Sequence, residues 1–429
     1  MARVCVINLS GVSGRLLERQ SGLWVNSLPS EPRPIGATFP AVPASVQASM
    51  TTGAEPGVHG IVSGGVYRRQ CHEVSFAERS NTLLNKKRFW QSRHLPAPVT
   101  ASMVFWWHPL AGAAELVVAS AGYAPPGLPI PQQPAHLYDQ VARRLGELNQ
   151  SLLWGPGASW RSSQWMSSAA REIWADYLPD LQWVTLCGVD FAQVRHGVES
   201  ADAADALREV DQLAQRLGEQ VIAGGGRVVV ISDGGYVPVE RAGRPNWLLR
   251  QAGLLKVCQG AAGETIDLNQ SRAFCLADHQ MAHLYCEDER LADEAADMLR
   301  QDAAIVAVLG RDELFSSGLG HDRAGERIVL AQPDAWLTYA WWGPDDSPPP
   351  VAIGVAPQFK CGYDPCELFA GASATQINPD TSLVRASRGL VTPPLADQCF
   401  VAASCDIPPI QDVCGLPDLL KSLLFDQDS

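Results

Sequence analysis

Three short and almost wholly apolar runs constrain this chain more than anything else in it. They are Val4-Cys5-Val6-Ile7-Asn8-Leu9, Trp183-Val184-Thr185-Leu186-Cys187-Gly188-Val189 and Arg227-Val228-Val229-Val230-Ile231. Runs of this length without polar alternation suit strands covered on both faces. Segments of helical period lie between and after them. Ala201 to Ile222 places Leu207, Val210, Leu213, Leu217 and Val221 on one face, and Gly224-Gly225-Gly226 stops it. A further helix is expected from Glu289 to Gln301, ahead of a strand from Ala304 to Leu309. Strands alternating with helices predict an α/β fold with a mainly parallel sheet.

Composition narrows the partners. With 46% hydrophobic residues, 13 Trp and 11 Phe, the chain has ample core-forming surface, which excludes disorder as its main state. A formal net charge of -13, with no cluster of Lys or Arg, argues against nucleic acid and anionic membrane. The most apolar stretch, Ala111 to Gly127, is broken by Glu115 and ends in Pro125-Pro126-Gly127, so no membrane span is expected. The run after Met1-Ala2-Arg3 is too short for a signal-peptide core, and a cytoplasmic location is expected. The 11 cysteines, odd in number and without a CxxC pair, read as reduced structural thiols.

In open parallel sheets, ligands bind beyond the carboxyl ends of the strands. Asp190 and Asp233 fall where two strands end, although Asp at such a place also commonly caps a turn. Residues 71–180, rich in Trp, Pro and Gly, read as a cap inserted beside the sheet. Residues 385–429 read as a peripheral tail, and the whole of 1–429 as one domain. Within the expected cap, Trp106, Trp107, Trp160 and Trp165 suit either core or the wall of a pocket for an apolar or planar group.

A loop enters a helix at Pro43, where the missing N–H is not needed, and Thr52-Gly53 closes it. The segment from Phe39-Pro40-Ala41-Val42 through Val46-Gln47-Ala48-Ser49-Met50-Thr51-Thr52-Gly53 to His59-Gly60-Ile61-Val62 resembles the nucleotide pyrophosphatase/type I phosphodiesterase branch of the alkaline phosphatase superfamily. Later segments keep the order of a bacterial alkaline-phosphatase-like group: WGPGASWRSSQW (154–165), DFAQVRHG (190–197), RVVVISDGGYVPV (227–239), SRAFCLADHQMAHLY (271–285) and GYDPCELF (362–369). The resemblance implies an alkaline-phosphatase-like sandwich: a mainly parallel central sheet, helices on both faces and an inserted cap. It also implies hydrolysis of phosphodiester or pyrophosphate bonds. There a Thr or Ser at a helix start attacks phosphorus, and two zinc ions held by Asp and His neutralise the phosphate. His59, in the family's HGI turn, is expected to fix that turn through a backbone hydrogen bond.

Position by position, the pattern is eroded. The nucleophile position falls on Pro43, and Ser10 stands where the first metal-ligating Asp is expected. Asp-His-Gly has become Asp233-Gly234-Gly235, Gln358 occupies the place of a terminal His, and Val194 that of the His after Asp190. Ser45 is the candidate substitute nucleophile, against a packing role shared with Ser49 at i, i+4. Asp190, Asp233, His196, Asp278, His279 and His283 are the candidate metal ligands, a set suited to zinc or manganese. His279 and His283 share a face whether on a helix or a strand, and structural hydrogen bonding is the rival role for both. Trp165 and Tyr363 are the candidates for contacting substrate. Two functions follow: a metal-dependent hydrolase of a small phosphorylated substrate, or a catalytically silent relative, needing no metal, that binds a phosphorylated ligand or a protein in the former cleft.

Overall fold

The computed structural model describes residues 1–76, 78–120, 129–260, 263–355, 360–373, 376–391 and 394–426. In chain order its principal strands are β1 (Val4–Leu9), β2 (Ser30–Ile35), β3 (Ala101–Val104), β4 (Leu116–Val118), β5 (Gln132–Gln133), β6 (Leu181–Leu186), β7 (Arg227–Ile231), β8 (Ala273–Asp278), β9 (Met281–Cys286), β10 (Ile305–Leu309), β11 (Arg327–Ala331) and β12 (Cys399–Ala403). The helices that matter for packing are α1 (Pro43–Thr52), α2 (Arg161–Tyr177), α3 (Val189–His196), α4 (Ala201–Ala223), α5 (Glu289–Leu299) and α6 (Leu416–Phe425).

The central sheet has 8 strands in the order β2-β12-β7-β1-β6-β3-β4-β5. Its middle is parallel: β1 pairs with β6 on one side and β7 on the other, and β3 continues from β6 to β4. The outer pairings, β2 with β12, β12 with β7 and β4 with β5, are antiparallel. All six residues of β1 are buried, because alternate side chains feed two cores. Cys5, Ile7 and Leu9 pack with α2 and α4 through Ile173, Leu207, Val210 and Leu217. Val4 and Val6 face the other way, onto Val46 and Met50 of α1 and Leu420 and Leu424 of α6. A run with no polar alternation is thus what two covered faces require. Asn8 follows this parity and points to the α1 side.

Three expectations are corrected. Residues 71–180 are not a cap beside the sheet, since β3, β4 and β5 extend it and α2 covers it. Those strands are two to four residues long, too short to show periodicity. Residues 385–429 are not peripheral: β12 lies inside the central sheet and α6 seals one face. The strand expected at 304–309 does not join the parallel sheet. It is the edge β10 of a second, antiparallel sheet, β8-β9-β11-β10, covered by α5 and holding its own core. This second lobe brings the tip of the β8–β9 hairpin, His279-Gln280, to the carboxyl ends of the central strands. There the Gln280 N–H donates to the carbonyl of Arg388 at 2.9 Å.

Among the described residues, no helix is long and apolar enough to cross a membrane.

Candidate functional site

A cavity of about 170 Å³ opens at the carboxyl ends of β1 and β6. Ser10, Asp190 and the start of α1 (Pro43, Ala44, Gln47) form its floor. Asp278 and His279 reach it from the hairpin tip, and Tyr236, Tyr363 and Arg388 from the segments beyond. Phe105, Trp106, Trp107, Trp154 and Phe191 supply an aromatic wall. Backbone strain gathers here. Phe105, His108 and His279, all on the lining, hold φ of 56, 51 and 64 although none is glycine. Each such residue costs on the order of 1–2 kcal/mol, so the surrounding contacts must enforce the shape.

Asp233, just past β7, is wholly buried and held on all sides. Its Oδ2 accepts from Asn8 Nδ2 at 2.9 Å and Gln47 Nε2 at 2.8 Å. Its Oδ1 accepts from Ser10 Oγ at 3.1 Å, the Gly11 N–H at 3.3 Å and Arg388 Nη1 at 3.0 Å. Burial alone would raise this carboxyl, but Arg388, Asn8 and Gln47 overcome it and hold it below the usual range. Arg388 is placed by local pairing, Val237 with Ser387 and Pro238 with Ala386, and also donates to the Gly234 carbonyl at 3.2 Å. Its guanidinium lies 4.9 Å from the Tyr236 ring centroid. Burial works against its charge, yet Tyr236, Asp233 and Asp190 more than offset this and raise its pKa.

Asp190 lies in the first turn of α3 and fills the space beside Gly11, where a Cβ would come within 2.8 Å of the Asp190 Cβ. Its Oδ1 accepts from the Gly188 N–H at 2.6 Å. Burial raises its carboxyl to about 6, partly opposed by Arg388. Asp278 accepts from Ser63 Oγ at 2.9 Å, the Gly64 N–H at 2.8 Å and His279 Nδ1 at 2.7 Å. Burial keeps the His279 imidazole low and neutral, while its hydrogen bond and those from Ser63 and Gly64 keep Asp278 ionised. The imidazole stacks on Tyr363 at 3.9 Å and 11°. Trp154 lies 5.3 Å from Tyr363 and donates its Nε1 to Glu367, which is paired with the buried Lys360.

The candidates from sequence divide. Asp190, Asp278, His279 and Tyr363 line one cavity, with Asp233 directly behind Ser10 and Gln47. His196 does not line it; it is half exposed at the end of α3, 4.0 Å from Asp202. His283 is buried with both ring nitrogens engaged, Nε2 to the Val62 carbonyl at 3.1 Å and Nδ1 to the Gly325 N–H at 3.1 Å. Ser45 is buried, but among the described residues its hydroxyl makes no hydrogen bond, and it is absent from the lining, where Pro43, Ala44 and Gln47 stand. Ser49 is spent on His59 Nε2 at 2.9 Å and Thr38 at 3.1 Å. His59 Nδ1 accepts from the Ile61 N–H, as its turn required. Trp165 acts at one remove, packing on Phe105 and Tyr138 and donating to the Gly146 carbonyl. Trp106 and Trp107 do line the cavity. Gln358 lies outside the described residues.

These residues do not fit the two zinc ions that the fold family implies. The lone pairs of Asp233 are consumed by five donors of the chain itself, one of them a cation, so none remains for a metal. Among the described residues, no group of three or more His, Cys, Asp or Glu is arranged to hold a metal ion. Arg388, Asn8, Gln47 and Tyr236 are the site residues that sequence reasoning missed.

The family model for type I phosphodiesterase / nucleotide pyrophosphatase matches residues 4–363. Among curated protein sequences none matches significantly. Among solved structures, phosphonoacetate hydrolase from Sinorhizobium meliloti 1021 in complex with phosphonoformate superposes with a TM-score of 0.64 at 14% identity, covering 99% of this chain and 96% of that one. Murine ectonucleotide pyrophosphatase/phosphodiesterase 5, an inactive form in complex with AMP, gives 0.62 at 13%, covering 99% and 95%. The human counterpart gives 0.58 at 12%, covering 98% and 94%. At these identities the structures speak for the fold, which is that of the alkaline phosphatase superfamily. The match over most of the length settles the family: the chain belongs to the type I phosphodiesterase / nucleotide pyrophosphatase family.

Proposed function

We propose that the chain binds a small phosphorylated compound in this cleft and does not hydrolyse it by the covalent two-metal route. One observation carries the reading. The residues of α1 that face the cavity at the helix start are Pro43 and Ala44, and the Ser45 hydroxyl is not on the lining. Without a hydroxyl there, no phospho-enzyme forms. The cleft itself is retained, strained and aromatic-walled, and the structural neighbours carry phosphonoformate and AMP.

A second reading has its own support. Asp190, Asp278 and His279 line the same cavity, and the family match favours metal-assisted hydrolysis by water there, for which these side chains would have to rearrange into a ligand set they do not now form. One assay separates the two. Bis(4-nitrophenyl) phosphate is expected to quench the tryptophan fluorescence of the cavity wall, yet to be hydrolysed no faster than in buffer, with or without added zinc or manganese. Turnover that disappears with chelator, and in both Asp190→Ala and Asp233→Ala, would overturn the silent reading and establish the metal-dependent one.

A further inference from the structure

We propose that Arg388 has taken over the work of a metal ion, so that the cleft meets an anionic ligand with a guanidinium the chain carries itself. Three observations point there independently of the missing nucleophile. The guanidinium sits on Asp233, the carboxylate at the end of β7, at 3.0 Å, and both side chains are buried. Its neighbourhood is built to keep it: the Arg388 carbonyl is tied to the hairpin tip at Gln280, the side chain lies over Tyr236, and Gly234 accepts a second contact. Its capacity is not exhausted. Arg388 lines the cavity, and its Nε, though buried, makes no hydrogen bond among the described residues. A buried donor without a partner is costly, and a phosphate or phosphonate oxygen is the acceptor a guanidinium matches best.

The exchange of metal for arginine has a chemical consequence. A divalent ion can polarise phosphorus and lower the pKa of a bound water, whereas a guanidinium holds charge and geometry but activates no nucleophile. Such a site is suited to holding an anion rather than cleaving it. Ligand binding is then indifferent to chelators, and Asp233 serves to position Arg388.

The anion half of this inference rests on the phosphorylated-ligand reading above; the metal half does not, and two measurements keep them apart. In the first, zinc chloride alone is titrated calorimetrically into the intact wild-type chain, D233N and R388H. Wild type and D233N are expected to give the same unsaturable heats, whereas R388H takes up one equivalent that R388H/D233N loses. Saturable zinc binding by wild type that is absent from D233N would overturn the proposal. So would an R388H that is folded by circular dichroism and takes no zinc. If R388H does not fold, the comparison of wild type with D233N decides alone. In the second measurement, bis(4-nitrophenyl) phosphate binding is followed by fluorescence in EDTA. An unchanged affinity in EDTA, falling at least tenfold in R388K, supports the role of the guanidinium. A tenfold or greater loss in EDTA overturns it. No binding under any condition sinks the ligand reading, while the zinc titration still decides what holds Asp233.

Discussion

Asp190 and Asp233 flank the end of β1, and their surroundings drive them in opposite directions. Asp233 is met by five donors and stays ionised. Asp190 has fewer compensating contacts, and burial lifts its carboxyl from 3.8 to about 6. A carboxyl whose folded pKa exceeds its unfolded value stabilises the fold fully below the unfolded value, and that contribution is lost as pH rises through about 6. Asp190→Asn should therefore be more stable than wild type at pH 8, by up to about 3 kcal/mol, with the advantage vanishing below about pH 4. Urea midpoints at the two pH values check this, and an advantage of equal size at both would contradict it. Both carboxylates could be found from sequence because each follows an apolar strand. Arg388 could not: it lies in a short polar segment, Ala386-Ser387-Arg388-Gly389, 155 positions from its partner. Only the pairing of 386–387 with 237–238 brings it home.

At the scale of elements, the site is assembled by a few backbone approaches that tolerate no extra atom. Gly188, the residue before α3, has φ 112, and a Cβ there would lie 2.2 Å from the Trp160 Cα. Gly188→Ala should cost roughly 3 kcal/mol or more, from the strained φ and the overlap together, and should release the 154–160 loop that carries Trp154. Thermal unfolding measures the loss, and a cost below about 1 kcal/mol would show that this approach is soft. A second brace is Arg88, buried with no carboxylate partner among the described residues and lowered to about 9 by burial. It donates to the carbonyls of Trp107 and His108 and to Thr51 of α1, tying the strained cavity wall to the helix. The apolar runs and the 3.6-residue period of α4 were readable because each element is long enough to repeat its pattern. The two- to four-residue strands β3, β4 and β5 were not, and their Trp- and Pro-rich surroundings imitated an insertion.

At the scale of the molecule, two sheets with separate cores meet at the cavity, so loss of either lobe's packing dismantles the site. The fold also carries an acid liability. His59, His108 and His283 are buried, and burial lowers them to about 3, 3 and 4. For a histidine depressed on folding, stability is complete above the unfolded value near 6.5 and drains as pH falls toward the folded value. Each contributes on the order of 2–3 kcal/mol of destabilisation by pH 4.5, and together they outweigh the opposite trend of Asp190. The melting temperature is expected to drop steeply between pH 6.5 and 4.5, and less steeply in His108→Asn, which suits the positive φ of that position. A flat profile would show that these imidazoles are not held neutral. The family's motif order was legible along the chain because it follows the strands. Departures from its pattern were legible at single positions such as Pro43 and Gly234, whereas the placing of Arg388 on Asp233 was legible only in three dimensions.

On the proposal above, a guanidinium and not a metal answers Asp233. The most direct test is the metal content of the intact chain purified without chelator or immobilised metal, read by mass spectrometry alongside Asp233→Asn prepared identically. No stoichiometric zinc or manganese attributable to Asp233 is expected, so that the two preparations agree. One or two equivalents in the wild type, lost in the variant, would contradict it.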